Sequence, residues 1–410
     1  MKAKSIRILA SLFLSTLGIS AIAFVASASG KGTATNRDFL AYWAAGQQLV
    51  HGANPYSRTA VLRLERAQEL PGSRPLIMRN PPLAFFLAWP LGFVTEQWGM
   101  ALWLLMLVAA LMVSVRMLWV LNGKPKDRLH LLGYLFAPAL ACVMAGQMGI
   151  VLLLGVTLFL YFHRSRPFVA GAALLLCSVK PHLFVAFGAV LLAWALSQRA
   201  YRLLAGTATA IASSCVLSFG LDLHAWPQYA RMMLSAGIPR EFVPSLSLLF
   251  RLLVDRNAPW LQFAPAAVAC VWAISYFWKR RDRWNWMEHG MLLLLVSAAT
   301  APYAWFTDEV VVLPAMLAAL YISSRSGRPV WPFGFFSGIA LVEVMERVSL
   351  TSALYLWTMP AWLAWYLYAT RAGVAREAEA RAAGPLFAER LAQHCLFAEV
   401  EQKGDRESAA

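Results

Sequence analysis

Apolar runs separated by short polar connectors recur along the chain from Ile6 to Thr370. Most approach the length needed to cross roughly 30 Å of hydrocarbon. Basic clusters at Lys124/Lys126/Arg128, Arg164/Arg166, Arg199/Arg202, Lys279/Arg280/Arg281/Arg283, Arg325/Arg328 and Arg371/Arg376 fall at every second connector, and the positive-inside rule assigns those connectors to the cytoplasm. The spans this division predicts are 6–26, 99–121, 129–145, 147–163, 167–180, 181–197, 202–221, 258–278, 287–304, 308–323, 330–347 and 351–370, about twelve with both ends cytoplasmic. Lys2, Lys4 and Arg7 start the first span inside. The small-residue run Ala26-Ser27-Ala28-Ser29 keeps a cleaved signal peptide as the rival reading of that segment. The predicted class is an all-α polytopic membrane protein, with a transmembrane domain over 1–370 and an Ala-, Glu- and Arg-rich cytoplasmic tail over 371–410.

Two external segments, 27–98 and 222–257, are long enough to carry structure, and chemistry is expected there. In the first, Phe39, Tyr42, Trp43, Gly46, Leu49 and Val50 recur at helical spacing, which predicts an amphipathic interfacial helix over 38–50 that ends at Gly52 to Pro55. The proline-bracketed run 81–90 is too short to span and predicts a second interfacial or half-buried helix.

Composition narrows the function classes. With 410 residues, 60% hydrophobic and 14% charged, the chain is too apolar for a soluble enzyme. The net charge of +15 is dispersed between apolar runs, which reads as topology signal and argues against nucleic acid as a partner. Cys142, Cys177, Cys215, Cys270 and Cys395 show neither metal-ligand spacing nor a disulfide framework, and the histidines are not paired for haem. No cofactor is indicated with certainty. A divalent metal would have to be held by acids as far apart in sequence as Asp38 and Asp308, which is weak support for a site.

Four places can carry chemistry. Asp38, at the head of the first external helix, can serve as a general base that takes the proton of an attacking hydroxyl, or can simply cap that helix. Lys180, followed by Pro181 and His182 in a stretch otherwise without charge, can hold a phosphate or can snorkel from a helix end. The segment 299–309, with Pro302, Tyr303, Asp308 and Glu309, can shape a sugar pocket or form an aromatic belt beside a polar turn. The turn Gly146-Gln147-Met148-Gly149 offers Gln147 as a ligand contact or a turn residue.

The order Asp38-Phe39-Leu40-Ala41-Tyr42-Trp43-Ala44-Ala45-Gly46, Gly52-Ala53-Asn54-Pro55-Tyr56, Asn80-Pro81-Pro82-Leu83, Gly146-Gln147, Lys180-Pro181 and Pro302-Tyr303 with Asp308 resembles glycosyltransferase family 87 of the GT-C superfamily. The resemblance covers roughly residues 6 to 370. It implies a GT-C-like bundle, a catalytic aspartate in the external first loop (here Asp38), and a polyprenyl-phosphate sugar donor, mannose favoured, whose sugar passes with inversion to a lipid or glycan hydroxyl. It further implies donor binding by Lys180, His182, Arg251 and Gln147, and an acceptor or sugar pocket at Tyr42, Tyr56, Tyr303 and Asp308. Arg251 follows a serine- and leucine-rich segment, Ser245 to Phe250, like one in the family. Two positions depart from the pattern. Asn80 stands where an aromatic often precedes Pro-Pro, and His182 stands where glutamine often follows Lys-Pro. The implied location is the inner membrane, with the site facing outward. Against this stand a transporter or lipid flippase, for which neither midplane charges nor internal repeats are evident, and a non-catalytic scaffold.

Overall fold

The structure, a computed structural model, describes residues 37–67, 75–235, 242–346 and 352–370. The first predicted span, 6–26, its rival cleavage site and the tail over 371–410 lie outside the described residues. Within them the protein is helical throughout, with no strand.

Sixteen helical segments, of which α5 is interrupted at the extended Phe136, position the site: α1 (Arg37–Val50), α2 (Arg58–Ala67), α3 (Pro82–Phe93), α4 (Glu96–Leu121), α5 (Leu129–Ala145), α6 (Gly149–Phe162), α7 (Pro167–Ser178), α8 (Pro181–Ser197), α9 (Tyr201–Leu221), α10 (Ala225–Ser235), α11 (Leu246–Val254), α12 (Pro259–Trp278), α13 (Gly290–Ala299), α14 (Phe306–Arg325), α15 (Trp331–Met345) and α16 (358–370). Four of them, α4, α9, α12 and α14, are long and apolar enough to cross a membrane, and α3, α5 to α8, α13 and α15 are shorter apolar helices. Several helices begin or end where the sequence places glycine or proline. Gly146, at φ +66°, closes α5 in the left-handed conformation that glycine adopts at little cost, while Pro167, Pro181 and Pro259 open α7, α8 and α12.

Packing is closest where glycines meet backbone. A Cβ on Gly46 of α1 would collide with the Ala88 carbonyl oxygen of α3, and one on Gly92 would collide with the Gly46 carbonyl oxygen. The same pattern ties α7 to α9, where Gly171 faces the Leu203 carbonyl and Gly206 the Phe168 carbonyl. Small residues of this kind let apolar helices approach without a hydrophobic driving force between them.

α1 forms over the predicted range but sits differently. Residues Phe39 to Ala45 are all buried, so the helix is part of the core and does not lie along a surface. α3 matches the half-buried alternative: Ala84, Phe85 and Ala88 are buried while Phe86, Leu87 and Trp89 are partly so.

Candidate active site

Three helix interruptions converge with the first turn of α1. They are the turn Gly146 to Met148 between α5 and α6, the break at Val179 and Lys180 between α7 and α8, and the non-helical connector 300–305 between α13 and α14. Each breaks an apolar run, and each break frees backbone groups that need partners. Trp103 Nε1 donates to the Gly146 carbonyl at 2.8 Å, Asn80 Nδ2 to the Val179 carbonyl at 3.1 Å, Ser247 Oγ to the Thr300 carbonyl at 3.0 Å and Gln262 Nε2 to the Pro302 carbonyl at 2.6 Å. Polar side chains thus hold each interruption in place.

Gln147 is the centre of the side-chain network. Its Oε1 accepts from Tyr42 Oη at 2.6 Å, from the Met148 backbone N–H at 3.0 Å and from Lys180 Nζ at 3.2 Å. Three donors on one atom fix the amide orientation, so Nε2 points the other way and donates to Asp38 Oδ2 at 3.0 Å. Burial first, then the charges of Asp38 and Asp308, hold the Tyr42 phenol well above its ordinary pKa, so it stays a donor. Lys180 Nζ reaches Asp308 Oδ1 at 2.7 Å, and the second carboxylate oxygen of Asp308 accepts the Trp305 backbone N–H at 3.2 Å. One connected chain therefore runs from Asp38 through Gln147 and Lys180 to Asp308.

The two acids of that chain are in different situations. The Asp308 side chain is 1% exposed and ion-paired with Lys180, itself 9% exposed, whereas Asp38 is half-buried at the start of α1. A carboxylate that ionises in a buried place needs such a partner. The sequence-based reading put Asp308 against the sugar and Lys180 against a phosphate; the structure turns them toward each other.

Aromatic rings form a second group nearby. His182, two residues past Lys180, lies 4.0 Å from Tyr303 between ring centroids, at 32° between planes. Tyr303, on the connector leading to Asp308, has its phenol pushed up to about 12 by burial, then by Tyr229 and Asp308, with Arg79 acting in the opposite sense. Tyr56 donates to the Asn80 carbonyl at 2.9 Å and packs against Tyr229 of α10, 5.6 Å between centroids, which brings the 222–257 segment onto the 27–98 segment. Arg251 is buried on α11, one turn from the Ser247 that holds the 300–305 connector.

The site predicted from sequence thus assembles around Asp38, Tyr42, Gln147, Lys180 and Asp308, with Tyr56, His182 and Tyr303 adjoining. Two participants escaped the sequence reading as ligands. Asn80 enters the sequence pattern as a motif position and a departure from it, with no contact assigned, yet it ties Pro81-Pro82 to the break before Lys180. Arg79 is exposed and close enough to Tyr303 for its charge to act on it, and an arginine next to a motif was the signal that could have found it. Among the described residues no group of three or more His, Cys, Asp and Glu side chains is arranged to hold a metal ion.

The sequence profile of glycosyltransferase family 87 matches residues 79–302, more than half of the chain. The chain belongs to glycosyltransferase family 87. It is therefore a membrane glycosyltransferase, and the matched region carries Asn80, Gln147, Lys180, His182 and Arg251; Asp38 and Asp308 flank it on either side. No curated protein and no solved structure matches the chain significantly.

Proposed function

We propose that this family 87 enzyme transfers a hexose, mannose favoured, from a polyprenyl-phosphate donor to a hydroxyl of a lipid or glycan acceptor at the external face of the inner membrane, with inversion. The observation that carries the reading is the contrast between the two site carboxylates. Asp38 is the one a substrate can approach, because Asp308 is enclosed and neutralised by Lys180.

In this mechanism the acceptor oxygen attacks the anomeric carbon while its proton passes to the Asp38 carboxylate. The bond from the anomeric carbon to the phosphate oxygen breaks, and the lipid phosphate leaves with the electron pair. A single displacement of this kind inverts the anomeric centre. Gln147 orients Asp38, and the Lys180–Asp308 pair orients Gln147. Asp38, Asp308 and Lys180 together carry one net negative charge, so a donor phosphate needs further cations. In this reading Arg251 and Arg79 supply them, and His182 and Tyr303 present rings to the sugar.

The test supplies the purified protein in nanodiscs with radiolabelled polyprenyl-phosphate mannose, glucose and galactose, and with nucleotide sugars, using a membrane-lipid extract as acceptor. Transfer from a lipid-phosphate sugar, fastest for mannose and with inverted configuration in the product, is expected. Transfer from nucleotide sugars alone, or from no lipid-phosphate donor, overturns the proposal.

A further inference from the structure

The amphipathic surface helix of the first long segment is α2. Val61 and Glu65, one turn apart, are buried, with Leu64 packed on the core beside them. Glu65 Oε1 accepts the Leu76 backbone N–H at 2.6 Å, which fastens the helix to the non-helical segment leading to Arg79 and Asn80. Beside the buried face run Arg58, Leu62 and Arg66 at successive turns, with Thr59 and Arg63 farther round, and all of these but Leu62 are exposed. All three arginines are exposed, and among the described residues they enter no ion pair, hydrogen bond or ring contact. Leu62, partly exposed, lies between Arg58 and Arg66.

We propose that this face of α2 binds the headgroups of anionic phospholipids. Three guanidiniums flanking an apolar side chain on a short helix of a membrane protein match the interfacial pattern, in which arginines meet phosphates and the leucine enters the acyl boundary. Arg58 and Arg66 stand eight residues apart, roughly 12 Å along the axis, which is too far for one phosphate and suits a row of lipids. The consequence for the enzyme is positional. Because Glu65 holds α2 to the 75–80 segment and Tyr56 holds Asn80, lipid bound to α2 sets the site at headgroup level, where a lipid-linked donor presents its phosphate.

The experiment uses full-length protein with Thr59→Cys carrying a fluorophore, in a background with Cys215, Cys270 and Cys395 replaced by serine, reconstituted into nanodiscs. Brominated phosphatidylglycerol should quench the probe several-fold more than brominated phosphatidylcholine at equal mole fraction, and added salt should reduce that preference. The preference should vanish in Arg58→Gln/Arg63→Gln/Arg66→Gln and persist in the corresponding triple lysine variant. All these side chains are exposed, so folding is not at issue. Absence of quenching by either lipid, equal quenching by both, or an unchanged preference in the glutamine variant overturns the proposal. None of these outcomes depends on sugar transfer.

Discussion

α14 and α9 are both long apolar helices of almost equal mean hydropathy, yet 94% of the apolar window of α14 is buried inside the protein against 22% for α9. α9 shows Val216 and Phe219 to its surroundings, while α14 opens with Asp308 and Glu309 and is wrapped on every side. Hydropathy reports how readily a segment leaves water; it does not report whether lipid or protein receives it. The difference lies in the polar residues. Asp308 meets Lys180, and Glu309 accepts from Thr358 Oγ1 at 2.6 Å and Trp362 Nε1 at 3.0 Å, so the central helix is held by bonds to charged groups, whereas α9 is held by neutral hydroxyls, Thr207 donating to the Gly171 carbonyl and Ser214 to the Leu83 carbonyl.

That contrast breaks most readily at the ion pair. Lys180→Ala leaves the Asp308 carboxylate buried without its cation and should cost about 3–5 kcal/mol of stability. Lys180→Leu/Asp308→Leu should recover most of the loss. Thermal denaturation in detergent reads both, and a Lys180→Ala protein as stable as wild type would remove the pair from the account. A smaller effect is expected at Gly149 of α6, where an added Cβ would come within 2.7 Å of the Thr307 carbonyl oxygen and 2.9 Å of Val310 Cγ1. Gly149→Ala should therefore cost about 1–3 kcal/mol through overpacking against the central helix. On the outer helix, Val216→Ala should stay within about 0.5 kcal/mol of wild type, because the side chain is 72% exposed and packs on little protein. A loss at Val216 as large as that at Gly149 would show that the two helices do not differ as described.

The limits of most apolar helices were legible in the sequence because they are written in Gly146, Pro167, Pro181 and the proline-bracketed run after Asn80, whereas α10 and α11 within the 222–257 segment were not. The site residues were legible as interruptions of apolar runs, which is why Gln147, Lys180 and Asp308 stood out. Their pairing was not, since Lys180 and Asp308 are 128 residues apart and no local pattern encodes which acid meets which cation. α1 is placed differently for a related reason: the stripe Phe39, Tyr42, Trp43, Gly46 signals one apolar face, and only the burial of Leu40, Ala41, Ala44 and Ala45 reveals that the other face is covered too. α2 went unnoticed because ten residues give a weak periodic signal, although Arg58, Leu62 and Arg66 already share one stripe.

The central claim is that Asp38 faces substrate while Asp308 serves the internal pair. Its most direct measurement is the rate of sugar transfer by Asp38→Asn, using the donor found for the wild type and with thermal stability recorded on the same preparation. An unchanged melting temperature with transfer reduced by about 10²- to 10⁴-fold, the range for loss of a general base, is the predicted result. Wild-type transfer by a folded Asp38→Asn protein would contradict it.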